Sequence, residues 1–302
     1  MNSGVLTEKY EQYNYEKIPP MAEILGTNVL ESYKCELPAH NCNRSILIIR
    51  FSSKLSSREK LIASDISTSE KISALINFGF PVKYHAFQKD TSPKEVKRFM
   101  DSINNDENIL GVLIQNPVPK EYKNALIQLR GSKDLDAWNG NSSRFVWPIT
   151  VEAVGRIIKQ FKRKHRVAVV GSKGFIGSRI GLLAKSFFKE ICLLDREDDL
   201  IELRGCHIII SAVGISELIT KSYLSKKAYA GIDIGNCFDF QKSQVVGDFE
   251  DSAKKELSFY TPVPGSIGPL SIAILIERVY SLLGYEIENK WEFSDCVSFK
   301  EQ

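Results

Sequence analysis

Residues 167–177 read VAVVGSKGFIG, an apolar run that leads straight into three glycines spaced three positions apart. The apolar run predicts a buried strand, and the glycines at its end predict a turn into a helix. Glycines in such a turn let backbone amides approach a pyrophosphate, and the N-terminus of the next helix favours negative charge. The sequence therefore predicts a dinucleotide-binding loop, with a tight turn whose glycines serve only packing as the alternative. The residues assigned to the loop are Gly171, Ser172, Lys173, Gly174, Ile176 and Gly177.

An acidic residue ends the next apolar run. Asp195 follows ICLL and lies 24 positions after Gly171, where a carboxylate would meet the ribose hydroxyls of adenosine. A carboxylate there repels a 2′-phosphate, which favours NAD over NADP, whereas the adjacent Arg196 opposes that preference. A helix N-cap is the alternative role for Asp195. We expect NAD as the cofactor, with Asp195 and Arg196 beside its adenosine.

Further apolar runs alternate with helical or loop segments. HIIISAVG at 207–214 and AGIDIG at 230–235 are short and continuous, which is typical of parallel strands buried on both faces. This alternation predicts an α/β fold. Ala212 and Gly214 would allow close backbone approach to a dinucleotide, and Asn236 is assigned to the same cofactor site.

The N-terminal half carries the same alternation. Its pattern predicts a helix that begins after Pro20, a buried strand at 46–49, and strands at 82–87 and 109–115. Because the alternation resumes after residue 150, two α/β domains are the simplest partition of the chain.

The composition excludes several classes of protein. In 302 residues, 40 Lys and Arg balance 37 Asp and Glu and are scattered, which disfavours a nucleic-acid partner. A hydrophobic content of 43% argues against disorder. The six cysteines form no C-x-x-C pair and only four histidines accompany them, so neither a disulfide scaffold nor a metal site is predicted. No apolar run approaches the roughly 18 residues of a membrane span, and we expect a cytoplasmic protein without membrane contact.

One segment of the sequence resembles the signature of a known family. Residues 261–271 read TPVPGSIGPLS, which resembles the T-P-V-P-G-G-V-G-P-M-T signature of the methylenetetrahydrofolate dehydrogenase/methenyltetrahydrofolate cyclohydrolase family. In the same order as in that family, GVLIQNPVP (111–119) resembles its G-I-L-V-Q-L-P-L-P, KDLDA (133–137) its K-D-V-D-G, and VGDF (246–249) its V-G-D-V. A segment from Ala63 to Gly79 fits its A-S-x-x-Y-V-x-x-K-x-x-A-x-x-x-x-G helix. The resemblance covers about residues 21 to 280.

The resemblance implies a domain organisation and an activity. It implies a folate-binding catalytic domain of residues 21–149 and 270–302, a Rossmann dinucleotide-binding domain of residues 150–269, and a cleft between them, with residues 1–20 as an N-terminal extension. It also implies a homodimer. The implied reaction oxidises 5,10-methylenetetrahydrofolate to 5,10-methenyltetrahydrofolate with a nicotinamide cofactor, and hydrolysis to 10-formyltetrahydrofolate can follow.

The resemblance also assigns site residues. It implies that Lys71 is the central residue of the hydrolysis step, that Gln115 is its hydrogen-bonding partner, and that Asp136 binds the pterin ring. A lysine held in an apolar cleft has a lowered pKa and can exchange protons near neutrality. A solvated helix lysine and a turn aspartate are the plain alternatives for Lys71 and Asp136. The substrate-binding residues implied are Ser67, Pro264, Gly265 and Gly268.

The chain departs from the family pattern at several of these positions. Ser67 stands where the family has a tyrosine, which removes a stacking ring from the folate side. Ser172 and Lys173 stand where Arg-Ser is usual, and losing that arginine supports NAD. These departures keep two alternatives open: a dehydrogenase of altered substrate on the same fold, or a folate- or nucleotide-binding protein that has lost turnover.

Overall fold

The computed structural model describes residues 22–37, 42–51, 57–140, 143–287 and 290–299. The N-terminal extension predicted at residues 1–20 lies outside the described residues. Strands of the described part are β1 (Ala22–Ile24), β2 (Ser45–Phe51), β3 (Val82–Phe87), β4 (Ile109–Ile114), β5 (Arg166–Val170), β6 (Glu190–Leu194), β7 (Ile208–Ser211), β8 (Ala230–Asp233), β9 (Cys237–Asp239), β10 (Gln244–Val246), β11 (Phe259–Tyr260) and β12 (Val297–Phe299). Its α-helices are α1 (Gly26–Glu36), α2 (Arg58–Asn77), α3 (Pro93–Asn105), α4 (Lys123–Leu126), α5 (Ile149–Ile158), α6 (Phe175–Phe187), α7 (Asp251–Lys254), α8 (Ile267–Leu282) and α9 (Phe293–Cys296).

A small parallel sheet of order β3-β2-β4 organises the N-terminal half. All seven residues of its central strand β2 are buried, because helices cover both faces of a parallel sheet. Ser92 caps α3 in a capping box with Glu95, and α2 ends just before Gly79, whose φ of 84° suits only glycine without strain. The three predicted strands of this half are confirmed.

The second, larger sheet has seven strands in the order β12-β1-β11-β8-β7-β5-β6. All its neighbouring pairs are parallel except β1 with β12. Strand β5, which carries the VAVV run, lies between β6 and β7, and the glycines follow its C-terminal end. The α/β fold with parallel sheets and a Rossmann-type unit is confirmed.

The prediction that the first helix starts after Pro20 is wrong. Residues 22–24 form strand β1, which pairs in parallel with β11, and the helix begins at Gly26. A Cβ atom at Gly26 would lie 2.2 Å from the Ser266 carbonyl oxygen, so the start of α1 packs against the start of α8. A three-residue strand whose apolar residues, Ala22 and Ile24, lie beside a helical stripe cannot be told from the first turn of the helix by periodicity.

Strands β1 and β12 come from the two segments that the resemblance assigns to the folate-binding domain, yet both pair into the large sheet. The signature segment, residues 261–271, is a loop only as far as residue 266, because α8 begins inside it at Ile267; this long helix packs against α1 and α5. No helix in the described ranges combines the length and apolar character that crossing a bilayer requires.

Candidate functional site

A cavity of about 560 Å³ lies between α2, the β9-β10 hairpin and the signature loop. It joins both parts of the chain, because the ends of β8 and the Thr150 side of α5 also reach it. Six residues assigned from the sequence line it together: Ser67, Lys71, Asn236, Pro264, Gly265 and Gly268. Residues assigned from the sequence, although up to about 200 positions apart in the chain, therefore line one cavity of the size of a small-molecule site.

Lys71 supplies the amine that lines this cavity. Its side chain belongs to α2 and is 8% exposed, and its Nζ donates to the Ser67 hydroxyl at 2.7 Å, one helical turn earlier. Burial lowers the pKa of Lys71, while the carboxylates of Asp136 and Glu70 oppose that change. Lys71 is therefore a buried amine poised to lose its proton more readily than a surface lysine.

Gln115 lies half-buried just after β4, where its backbone N–H donates to the Ile49 carbonyl at 2.9 Å. Within the described part of the chain, the Nζ of Lys71 hydrogen-bonds to Ser67 and not to Gln115. The partnership between Lys71 and Gln115 stays a prediction.

Asp136 is not among the residues that line this cavity and is 9% exposed. Its Oδ1 accepts the Ile149 N–H at 2.8 Å, at the first residue of α5. Burial raises the pKa of Asp136 to about 6; the Ile149 hydrogen bond and the charges of Arg278 and Lys71 limit that rise, and nearby Asp134 adds to it. This carboxyl group can therefore exchange a proton close to neutral pH.

Arg278 on α8 holds the Asp136 segment in place, a role that the sequence reasoning missed. Its guanidinium donates to the Leu135 carbonyl at 2.7 Å, to the Trp147 carbonyl at 2.6 Å and to the Glu152 carboxylate at 2.6 Å. The sequence indicated such a role, because a charged residue within the largely apolar run 267–282 must find polar partners inside the fold.

The glycine loop has the geometry of a cradle for an anion. Gly171 has a φ of 81°, and a Cβ atom at Gly177 would lie 2.1 Å from the Gly171 carbonyl oxygen, so the loop closes tightly only with glycines there. Gly174 is the N-cap of α6 and supplies no side-chain cap to the first amides of the helix. Ser172 follows Gly171 in the turn, and Ile176 packs on the core.

Asp195 closes the other side of this loop. Its Oδ2 accepts the Lys173 N–H at 2.7 Å and its Oδ1 accepts the Arg196 N–H at 2.9 Å. These backbone hydrogen bonds lower the pKa of Asp195, so the carboxylate stays ionised. Asp195 thus supports the turn from the end of β6 and keeps a negative charge beside it.

Two buried carboxylates shape the neighbouring loops. Asp248 accepts the N–H groups of Val213 at 2.9 Å and Ile215 at 2.8 Å, which holds the segment containing Ala212 and Gly214. Asp233 accepts the Gly235 N–H at 2.9 Å, just before Asn236. Burial and the neighbouring charge of Asp248 raise the pKa of Asp233.

The two halves of the chain contact each other at separate places. The Nζ of Lys60 donates to the Val213 carbonyl at 2.8 Å, and the Asn236 amide donates to the Ala63 carbonyl at 3.4 Å. Phe175, the first residue of α6 within the glycine motif, stacks on Trp138, two residues after Asp136, with ring centroids 4.6 Å apart. The glycine loop does not line the 560 Å³ cavity, but this stack joins it to the segment that carries Asp136.

Residues 148–286 match the family model for the NAD(P)-binding domain of tetrahydrofolate dehydrogenase/cyclohydrolase. Among curated proteins, the chain is 27% identical over 235 residues to the bifunctional protein FolD of Mesoplasma florum, covering 73% of this chain and 82% of that protein. It is 28% identical over 273 residues to the bifunctional protein FolD of Mycoplasmopsis synoviae, covering 84% and 95%.

Solved structures share the fold. The methylenetetrahydrofolate dehydrogenase-cyclohydrolase (FolD) of Trypanosoma brucei, solved with NADP cofactor and an inhibitor, aligns with a TM-score of 0.73 at 19% identity and covers 88% of this chain and 98% of its own. The bifunctional FolD of Campylobacter jejuni aligns with a TM-score of 0.71 at 20% identity, covering 86% and 98%. The NAD-dependent methylenetetrahydrofolate dehydrogenase of Saccharomyces cerevisiae aligns with a TM-score of 0.63 at 15% identity, covering 88% and 98%.

Proposed function

We propose that the chain is a divergent member of the tetrahydrofolate dehydrogenase/cyclohydrolase family, and that it oxidises 5,10-methylenetetrahydrofolate to 5,10-methenyltetrahydrofolate with a nicotinamide cofactor and hydrolyses the product to 10-formyltetrahydrofolate. One observation carries the proposal: buried Lys71 and the signature residues Pro264 and Gly265 line the same cavity, beside the cleft that the glycine loop borders.

The glycine loop fits a dinucleotide. A side chain at Gly177 would fill the space that the loop needs for its own closure, and the first turn of α6 offers amides with no side-chain cap. A nicotinamide cofactor held at this loop would supply the acceptor for the hydride of the one-carbon bridge. In this step the chain's own work is positioning, with the loop holding the cofactor on one wall and the cavity holding the folate on the other.

Proton transfer in the hydrolysis step falls to Lys71. A water oxygen adds to the methenyl carbon, and the neutral Nζ of Lys71 takes the proton that this water loses. The protonated Nζ can return that proton to the folate nitrogen as its bond to the same carbon breaks, while the hydroxyl added from water forms the formyl C=O bond and releases its proton to solvent. Ser67 keeps Nζ in one place by accepting its hydrogen bond at 2.7 Å, in the position where the family has a tyrosine.

Asp136 is proposed to hold the pterin ring. An ionised carboxylate accepts paired hydrogen bonds from an amino group and an adjacent ring N–H. Its pKa of about 6 leaves Asp136 mostly ionised at neutral pH. The fixed Oδ1 contact with Ile149 would leave Oδ2 to face the ring.

NAD is the proposed cofactor. The ionised carboxylate of Asp195 lies at the loop and would repel a 2′-phosphate, and Ser172 supplies no positive charge to bind one. Lys173 and Arg196 act in the opposite direction. The solved relatives include one crystallised with NADP and one described as NAD-dependent, so this preference rests on the loop residues of this chain.

An assay of purified protein tests the proposal. With methylenetetrahydrofolate we expect reduced cofactor to form, faster with NAD than with NADP at equal concentration. If neither cofactor is reduced, the dehydrogenase activity is refuted. Calorimetric titration then separates the two alternatives, because binding of folate and NAD without chemistry indicates a binding protein, and binding of NAD alone indicates an altered substrate. A cytoplasmic homodimer is also proposed, and light scattering of the purified protein tests the dimer.

A further inference from the structure

A second cavity, of about 480 Å³, lies at the opposite edge of the large sheet from the glycine loop. Four of its lining residues stand at the positions where parallel strands begin: His165 before β5, His207 before β7, Tyr229 before β8, and Ser258 before β11. Because the glycine loop follows the C-terminal end of β5, the length of that strand, about 17 Å, separates the two sites. The folate and dinucleotide reactions do not use this cavity.

Two imidazoles form its polar floor. The rings of His165 and His207 lie nearly parallel, with centroids 5.1 Å apart. The Arg166 backbone N–H donates to Nδ1 of His207 at 3.1 Å, so the ring proton of neutral His207 is on Nε2. The Tyr229 hydroxyl hydrogen-bonds to Nδ1 of His165 at 2.6 Å. Both Nδ1 atoms are therefore already hydrogen-bonded within the protein, which leaves the two Nε2 atoms to hydrogen-bond to a ligand.

The charge of the cavity is positive. Lys162 and Lys164 line it, and no carboxylate is among its lining residues. Neither lysine forms an ion pair in the part of the chain that the structure describes. Burial, together with the charges of His207 and both lysines, lowers the pKa of His165 to about 4, so that ring is neutral at pH 7 and acts as a hydrogen-bonding group.

We propose that this cavity, called the histidine pocket below, binds a phosphate-type oxyanion, either free phosphate or the phosphate group of a small metabolite. The two lysines supply charge attraction, and Nε2–H of His207 and the Ser258 hydroxyl supply hydrogen-bond donors. Its volume falls in the range of small-molecule sites, roughly 300–1,000 Å³, and exceeds what phosphate alone fills. The site is independent of the proposed folate chemistry.

Imidazole NMR tests the proposal on the full-length protein at constant pH and ionic strength. The chain has four histidines, and His85 lies in the small sheet, far from the pocket in the fold. Titration with inorganic phosphate should shift the resonances of His165 and His207 in a saturable way and leave His85 unchanged. Equal shifts of the His85, His165 and His207 resonances, or shifts that do not saturate, would overturn the proposal. Ribose 5-phosphate identifies the source: binding at the same resonances at least about tenfold tighter than phosphate indicates a metabolite, and equal binding indicates free phosphate.

Two variants show whether the named groups do the binding. Lys164→Ala and His207→Asn should each weaken phosphate binding about tenfold. Asparagine keeps an acceptor near the Nδ1 position for the Arg166 amide but has no counterpart of Nε2, so the fold can be retained. Lys120→Ala, an exposed lysine in the other half of the chain, is the matched control and should bind like the wild type. If Lys164→Ala and Lys120→Ala bind phosphate equally, the pocket is not the site.

Discussion

Replacing Gly177 by alanine should weaken dinucleotide binding about 100-fold without unfolding the protein. The Cβ atom would lie 2.1 Å from the Gly171 carbonyl oxygen, whereas side-chain carbons in proteins keep at least 3.0 Å from such an atom. The turn must therefore open by about 1 Å, at the peptide that begins the cradle. A misplacement of about 1 Å commonly costs about 100-fold in function, so we expect NAD affinity to fall by about that factor.

The matched control is Gly174→Ala in the same loop. Its Cβ would lie 3.2 Å from the same oxygen, and its φ of −70° suits any residue, so NAD binding should weaken less than about threefold. Calorimetric titration with NAD measures both variants, and circular dichroism confirms their folding. If folded Gly177→Ala binds NAD as tightly as Gly174→Ala, the glycine loop is not the dinucleotide cradle.

Three further changes probe the rest of the site. Lys71→Met should slow hydrolysis of methenyltetrahydrofolate at least about 100-fold while NAD binding stays unchanged, and an equal loss of both would contradict the proton-transfer role. Burial raises the pKa of Asp136 in the folded protein to about 6, above its ordinary 3.8. The protonated carboxyl group therefore stabilises the fold fully below pH 3.8, and this contribution is lost as the pH rises to 6, by at most about 3 kcal/mol. Urea unfolding of Asp136→Asn should not show this pH-dependent loss of stability. Arg278→Met leaves the Leu135 and Trp147 carbonyls without their donor, while Glu152 keeps its ion pair with Arg156; it should cost about 2–4 kcal/mol in urea unfolding, against less than about 1 kcal/mol for the exposed Arg144→Met control.

Much of the fold follows from local sequence patterns. The strand around 167–170 and the glycines after it are recognisable because a buried parallel strand is continuously apolar and a strand-to-helix turn needs glycine. The Lys71 contact with Ser67 follows from their four-residue spacing on α2. Each of these features depends on residues within one turn or one strand of each other.

Features that depend on distant partners escape such patterns. Strand β1 has three residues, and only its pairing with β11 and β12 distinguishes it from the helix that follows. The stack of Phe175 on Trp138 joins residues in separate halves of the chain, and no spacing rule links them. The histidine pocket is likewise assembled from four strand starts, which only the sheet order brings together.

The stack of Phe175 on Trp138 has a consequence for the order of events at the cleft. Phe175 belongs to the proposed cofactor loop and Trp138 follows the proposed pterin-binding Asp136, so two ligand-binding segments touch through protein alone. Separating the rings costs about 1 kcal/mol beyond the loss of buried area. The two proposed ligand-binding segments are thus held in contact before either ligand binds, so no binding free energy is needed to bring them together.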